Sequence, residues 1–228
     1  MNIVAQRPTP ITASLRRGAC ALVLLAASVS ALAGTLSPQV VQVRDRWAEV
    51  NYQVPRDKRE AAFEALARQA ADARKAAPRS AEALIWEGIV LSSYAGARGG
   101  LGALGLAKEA RADFEQALKL DPDALDGAAY TSLGALYYQV PGWPIGFGDD
   151  KKARELLKKG LQVDPDGIDA NYFYADFLRD QGDYAAAAAA LEKALAAPPR
   201  PGREVADRGR REEAQALLTQ VRRQLASR

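Results

Sequence analysis

Histidine is absent from this 228-residue chain, and its one cysteine (Cys20) and one methionine (Met1) both lie ahead of Gly34. Beyond that point no disulfide can form. A Ser-His-Asp or Cys-His nucleophile system cannot be assembled, nor a zinc site of the usual nitrogen and sulfur ligands. No excess of one charge is present either. The chain holds 31 Lys+Arg against 28 Asp+Glu, and the stretch 1–33 carries Arg7, Arg16 and Arg17 and no acid, which leaves the rest formally neutral. That balance lacks the basic footprint that nucleic-acid binding requires. Long apolar runs are missing apart from Ala19–Leu32. That run follows Arg16-Arg17 and ends in the small-x-small motif Ala31-Leu32-Ala33, so it predicts a secretory signal peptide over 1–33 with processing near Gly34. The expectation is a periplasmic or secreted protein with no transmembrane segment after signal removal. What remains is carboxylate, Lys, Tyr and Ser/Thr chemistry, and no catalytic, metal or cofactor site is expected.

What is present is helical periodicity punctuated by proline. Ser37-Pro38 is a helix start, with a capping hydroxyl followed by proline where no N–H is missed. Val40, Val43, Trp47, Val50 and Val54 follow on one face, and Phe63, Leu66, Ala70 and Ala73 mark a second helix. Three further hairpins follow. Their first helices carry small residues (Gly88, Gly134, Ala175), and their second helices pair Ala110 with Phe114, Ala153 with Leu157 and Ala187 with Leu191. Small residues let backbones approach, large ones fill the space between neighbours, and proline resets the chain. Pro78, Pro122, Pro165 and Pro199 close successive units, and the last interval is the shortest. A charged last helix, with Val205, Leu217, Val221 and Leu225 inward and Arg208, Arg210, Arg211, Arg222 and Arg223 in water, fits a terminal cap.

The unit from Pro165 to Pro199 has the length of a tetratricopeptide repeat, about 34 residues. The small, large and proline positions resemble that repeat throughout. The resemblance implies an all-α, right-handed helical-hairpin solenoid. It would comprise an N-terminal helical pair (34–78) as a degenerate repeat, three repeat-like units (79–199) and a C-terminal capping helix (200–228). By repeat geometry the first helices line the concave side, placing Ile85, Ile89, Ser92, Ser93, Thr131, Ala135, Tyr138, Gln139, Tyr172, Asp176 and Arg179 there as a mixed groove. Only Arg179 is evident there as a basic clamp.

The first two units exceed the standard turn between their helices. The extra stretches are Ala95–Leu106, with Leu101, Leu104 and Leu106, and Gln139–Asp150, with Trp143, Ile145 and Phe147. Apolar side chains left in water forgo roughly 1.5–3 kcal/mol each, so these segments are expected to bury themselves in the groove or on a partner. The stretch GWPIGFGD also resembles the repeat domain of the regulator of microtubule dynamics family, through Trp143, Pro144, Phe147 and Gly148. The general layout is similar to periplasmic helical proteins associated with TRAP transporters. The first likeness implies lipid or apolar-ligand contact and the second an accessory role in solute uptake. Asp149-Asp150 before a helix reads as a cap, and Asp176 and Asp180 beside Arg179 read as a groove-lining charge cluster. The resulting expectation is a non-catalytic exported module that holds an apolar small molecule or lipid under the two inserted segments. The alternative is a protein–protein adaptor of an envelope or uptake complex.

Overall fold

The computed structural model describes residues 36–227, except for the side chain of Leu101. The expected signal peptide at 1–33 lies outside the described residues. Nine α-helices follow one another among the described residues: α1 (Pro38–Tyr52), α2 (Arg56–Ala76), α3 (Ala81–Arg98), α4 (Gly100–Leu120), α5 (Ala124–Gln139), α6 (Asp150–Val163), α7 (Ile168–Asp180), α8 (Tyr184–Ala196) and α9 (Glu204–Ala226). They stack as the hairpins α1/α2, α3/α4, α5/α6 and α7/α8, with α9 lying against α8. The fold is the all-α repeat solenoid that the sequence predicts.

Local chemistry sets the boundaries. Ser37, Ser80, Asp149 and Asp183 each accept a backbone N–H of the first turn that follows, as N-caps do. Asp149 is therefore a cap, as expected. The hairpins close because glycine removes the atoms that would hold the helices apart. A methyl at Gly134 would sit 2.8 Å from Leu157 Cγ, and one at Gly88 would sit 2.6 Å from the Phe114 ring. Phe114, Leu157 and Leu191 are fully buried, each stabilising the stack by roughly 2–3 kcal/mol.

Two expectations are corrected. The stretch Ala95–Leu106 does not form an inserted loop: α3 runs to Arg98, Gly99 turns the chain, and α4 begins at Gly100. The terminal helix also does not simply present its arginines to water. It packs against α7, α8 and α1, so the last helix meets the first. A Cβ at Gly209 would fall 2.2 Å from the Tyr52 ring, which shows how closely α9 approaches α1. Arg210 is buried in that junction, whereas Leu225, expected inward, is exposed.

An ion network holds the junction. Asp169 of α7 accepts from Arg210 Nε at 2.7 Å and from Arg200 Nη1 at 2.8 Å. Arg210 also bonds Glu213 at 2.6 Å, and Glu213 accepts the Tyr52 hydroxyl at 3.3 Å. Arg200 continues to Asp207 at 2.6 Å. Burial alone would push the Asp169 carboxyl up, but the Arg210 and Arg200 guanidinium groups outweigh it and hold that carboxyl well below the usual range.

Candidate ligand-binding cavity

Because α9 returns to α1, the inner face of the array becomes a cavity of about 840 Å³. Its walls come from α1, α2, α3, α5, α7 and the approach to α9. Its lining includes the aromatic and aliphatic side chains Trp47, Phe63, Trp86, Ile89, Leu136 and Phe173. Among them stand six arginines (Arg44, Arg56, Arg59, Arg200, Arg203, Arg210) and three aspartates (Asp126, Asp164, Asp169). Arg179, the one clamp expected from the sequence, is absent from the lining. The cavity cations come instead from α1, α2, α9 and the α8–α9 connection.

Of the expected groove residues, Ile89, Ser92, Ser93, Thr131, Ala135 and Gln139 line this cavity. The others do not. Ile85 is 0% exposed and belongs to the core between hairpins, one turn before Ile89 on the same face of α3. Tyr138 donates its hydroxyl to Asp176 at 2.7 Å, and burial followed by that carboxylate raises its pKa. Asp176 also accepts from Arg179, so these three bind one another outside the cavity. Tyr172 lies under the Arg210 guanidinium, 4.4 Å from its ring centroid. Leu104 is part of α4 and does not line the cavity; the backbone of Leu101 belongs to α4 as well.

The second insertion is a loop, but it is no lid, since none of its apolar residues lines the cavity. Phe147 turns back into the stack, edge-on to Tyr137 at 5.6 Å and under Arg111 at 4.6 Å. Trp143 and Ile145 point outward, 90% and 66% exposed. The loop thus divides into an anchor and an exposed tip.

Two features escaped the sequence reading. Leu125, Asp126 and Gly127 all have positive φ at the start of α5. For Leu125 and Asp126 that left-handed backbone costs on the order of 1 kcal/mol or more each, and both line the cavity. Such strain persists only where the surroundings impose it, as around binding sites. The second feature is the arginine cluster, which is dispersed along the chain from Arg44 to Arg210 and is gathered only by the return of α9. A separate buried acid pair lies at α3/α4, where Arg74 meets Glu87 at 3.0 Å and Asp113 at 3.8 Å. Burial, then the Glu87 charge, pushes Asp113 up to about 7, but neither acid lines the cavity. Among the described residues no group of His, Cys, Asp and Glu could hold a metal ion. Nor is any helix there long and apolar enough to cross a membrane.

Stacked helical hairpins with a concave inner face define a helical repeat scaffold. Residues 145–207 and residues 101–124 match family models described as tetratricopeptide repeat. Those two segments thus carry tetratricopeptide repeats. Among solved structures it is similar to a thermophilic tetratricopeptide protein of Thermus thermophilus, at 22% identity and TM-score 0.51, covering 81% of this chain and 91% of that one. That likeness establishes the fold alone. It also matches MamA from Desulfovibrio magneticus at 17% identity and TM-score 0.43, covering 85% of this chain and 99% of that one. Comparison with curated proteins gives no match.

Proposed function

We propose that this chain is a non-catalytic, exported binding module whose inner cavity is its ligand site. Tetratricopeptide repeats make protein-binding adaptor modules, and here the array carries a half-open cavity as well. The observation that carries the reading is the packing of α9 on α1, beside which the inner face forms a half-open cavity of about 840 Å³. That volume falls in the range of small-molecule sites, roughly 300–1,000 Å³. The lining combines apolar side chains with an excess of arginines over aspartates, so the ligand is amphipathic and not purely apolar. Native mass spectrometry of protein recovered from an expressing cell's envelope tests this directly. A chain starting near Gly34 with a stoichiometric organic adduct is the expected result. A full-length cytosolic mass would overturn export, and an adduct-free protein that takes up no small molecule would overturn the cavity reading.

A second reading has its own observation. Trp143 and Ile145 stand in solvent on a loop whose base is fixed by Phe147. An exposed aromatic on a rigid base is the kind of anchor that protein interfaces use. In this reading the loop tip docks the module onto a partner protein. Crosslinking from a photoreactive group at Ile145 should recover one partner, and Trp143→Ala should lose it.

A further inference from the structure

Within the cavity, and resting on its reading as a ligand site, one corner holds hydrogen-bond donors without acceptors. Trp86 is 3% exposed, lines the cavity, and its indole Nε1–H has no partner. Trp47, 5.9 Å away on the same wall, provides the contrast, since its Nε1–H donates to Ser93 Oγ at 2.8 Å. Arg203 lies over the Trp86 ring at 5.3 Å, and its Nε is likewise buried without a partner. Arg203 makes no ion pair among the described residues, whereas Arg200 and Arg210 are consumed by Asp169, Asp207 and Glu213. Charges of its own sign crowd Arg203. Burial, then Arg200 and Arg44, lower its pKa, offset in part by Asp169 and Asp207.

A buried donor without an acceptor carries the uncompensated desolvation penalty of its N–H. A guanidinium crowded by two others costs more in the absence of a counter-charge. Both penalties are relieved by one event, the arrival of an oxyanion. Asp126 and Asp164 do not serve, since they belong to the α5 and α6 side of the cavity. There burial, and then the Asp126 charge, raise the Asp164 carboxyl.

The structure assigns the Trp86–Arg203 corner as an oxyanion subsite, and we infer that the ligand is a small amphipathic anion. Its carboxylate or phosphate accepts from the Arg203 guanidinium and, once seated, from the Trp86 indole. Its apolar body lies along Trp47, Phe63, Ile89 and Leu136. A carboxylic acid and a phosphate monoester supply the same chemistry, and the test separates them.

The experiment is calorimetric titration of the full chain with octanoate, octyl phosphate, octanol and inorganic phosphate, repeated with Arg203→Gln and Trp86→Phe. At least one of the two amphipathic anions should bind tenfold or more tighter than octanol, and the stronger of the two identifies the headgroup. Inorganic phosphate alone should bind weakly, because it lacks the apolar body. Arg203→Gln should weaken the preferred anion at least tenfold and leave octanol unchanged. Trp86→Phe keeps an aromatic ring and removes the N–H, so it should weaken the anion about fivefold. Equal affinity for anion and alcohol, indifferent to Arg203→Gln, would overturn the subsite and leave the cavity standing. No binding of any amphiphile to a folded protein would overturn the cavity reading together with the subsite.

Discussion

The two extra segments, Ala95–Leu106 and Gln139–Asp150, look alike in sequence: both are glycine-rich, apolar, and placed inside a hairpin. They end up as different structures. The first is absorbed into helix, with α3 and α4 separated by Gly99 alone. The second remains a loop, closed by Gly148 N–H to the Pro141 carbonyl at 3.0 Å and Asp149 N–H to the Tyr137 carbonyl at 2.8 Å. Glycine in a helix costs about 1 kcal/mol, which packing can offset. Here Ala103 and Leu106 supply it by packing on the central core. Proline removes a hydrogen bond and clashes with the preceding turn, at about 3 kcal/mol or more. Pro141 and Pro144 therefore keep the second segment out of the helix. The difference teaches that proline content, and not glycine content, decides whether an insertion lengthens a hairpin or leaves it.

The sharpest way to break this comparison is to give the first segment what the second has. Leu104 is the fifth residue of α4. Leu104→Pro should cost about 3 kcal/mol or more, read as a lower midpoint in urea and weaker helical circular dichroism. Near-neutral behaviour would show that the stretch 95–106 does not form helix.

Next in size is the anchor of the second segment. Phe147→Ala removes the edge-on contact with Tyr137 and the Arg111 guanidinium above the ring. A half-buried aromatic in that setting should cost about 2 kcal/mol by thermal or denaturant unfolding. A negligible loss would mean that the base of the second segment is not fixed by Phe147.

Gly99 sharpens the comparison from the other side. Its φ of 64° and ψ of −176° lie in a region that only glycine occupies readily. An added methyl there would meet open space. Gly99→Ala therefore isolates backbone strain, and a loss of about 1 kcal/mol is expected. No loss would mean that the single-residue turn between α3 and α4 is not held as described.

The repeat fold was legible because its signals are local. Capping Ser37, the small-large alternation of Gly134 and Leu157, and the closing prolines each act within one hairpin. The cavity was much less so. Ile89, Ser92 and Thr131 follow from helix phase within a repeat, and these were legible. Arg44, Arg200 and Arg203 line one cavity only because α9 returns to α1, and no periodicity encodes that return. Arg210 reads as a surface arginine on a charged helix, and its burial depends on Asp169, far earlier in the chain. The split of the second loop was hidden as well. Trp143 and Phe147 are both large aromatics, and only the turn geometry between them sends one outward and one inward.

The smallest effect on stability should come from Trp143, and that is what makes it informative. Its side chain is 90% exposed, so Trp143→Ala leaves the packed array untouched and should shift stability by no more than about 0.5 kcal/mol. Set beside Phe147→Ala, it separates the two jobs of one loop, since the anchor substitution weakens folding and the tip substitution does not. If the tip contacts a partner protein, Trp143→Ala should lose crosslinked partner at unchanged melting temperature, while octanoate and octyl phosphate titrate as in the unaltered protein. A Trp143→Ala variant that unfolds early would place the indole in the core and remove the distinction. One that keeps its partner would leave the cavity as the contact surface argued from this fold.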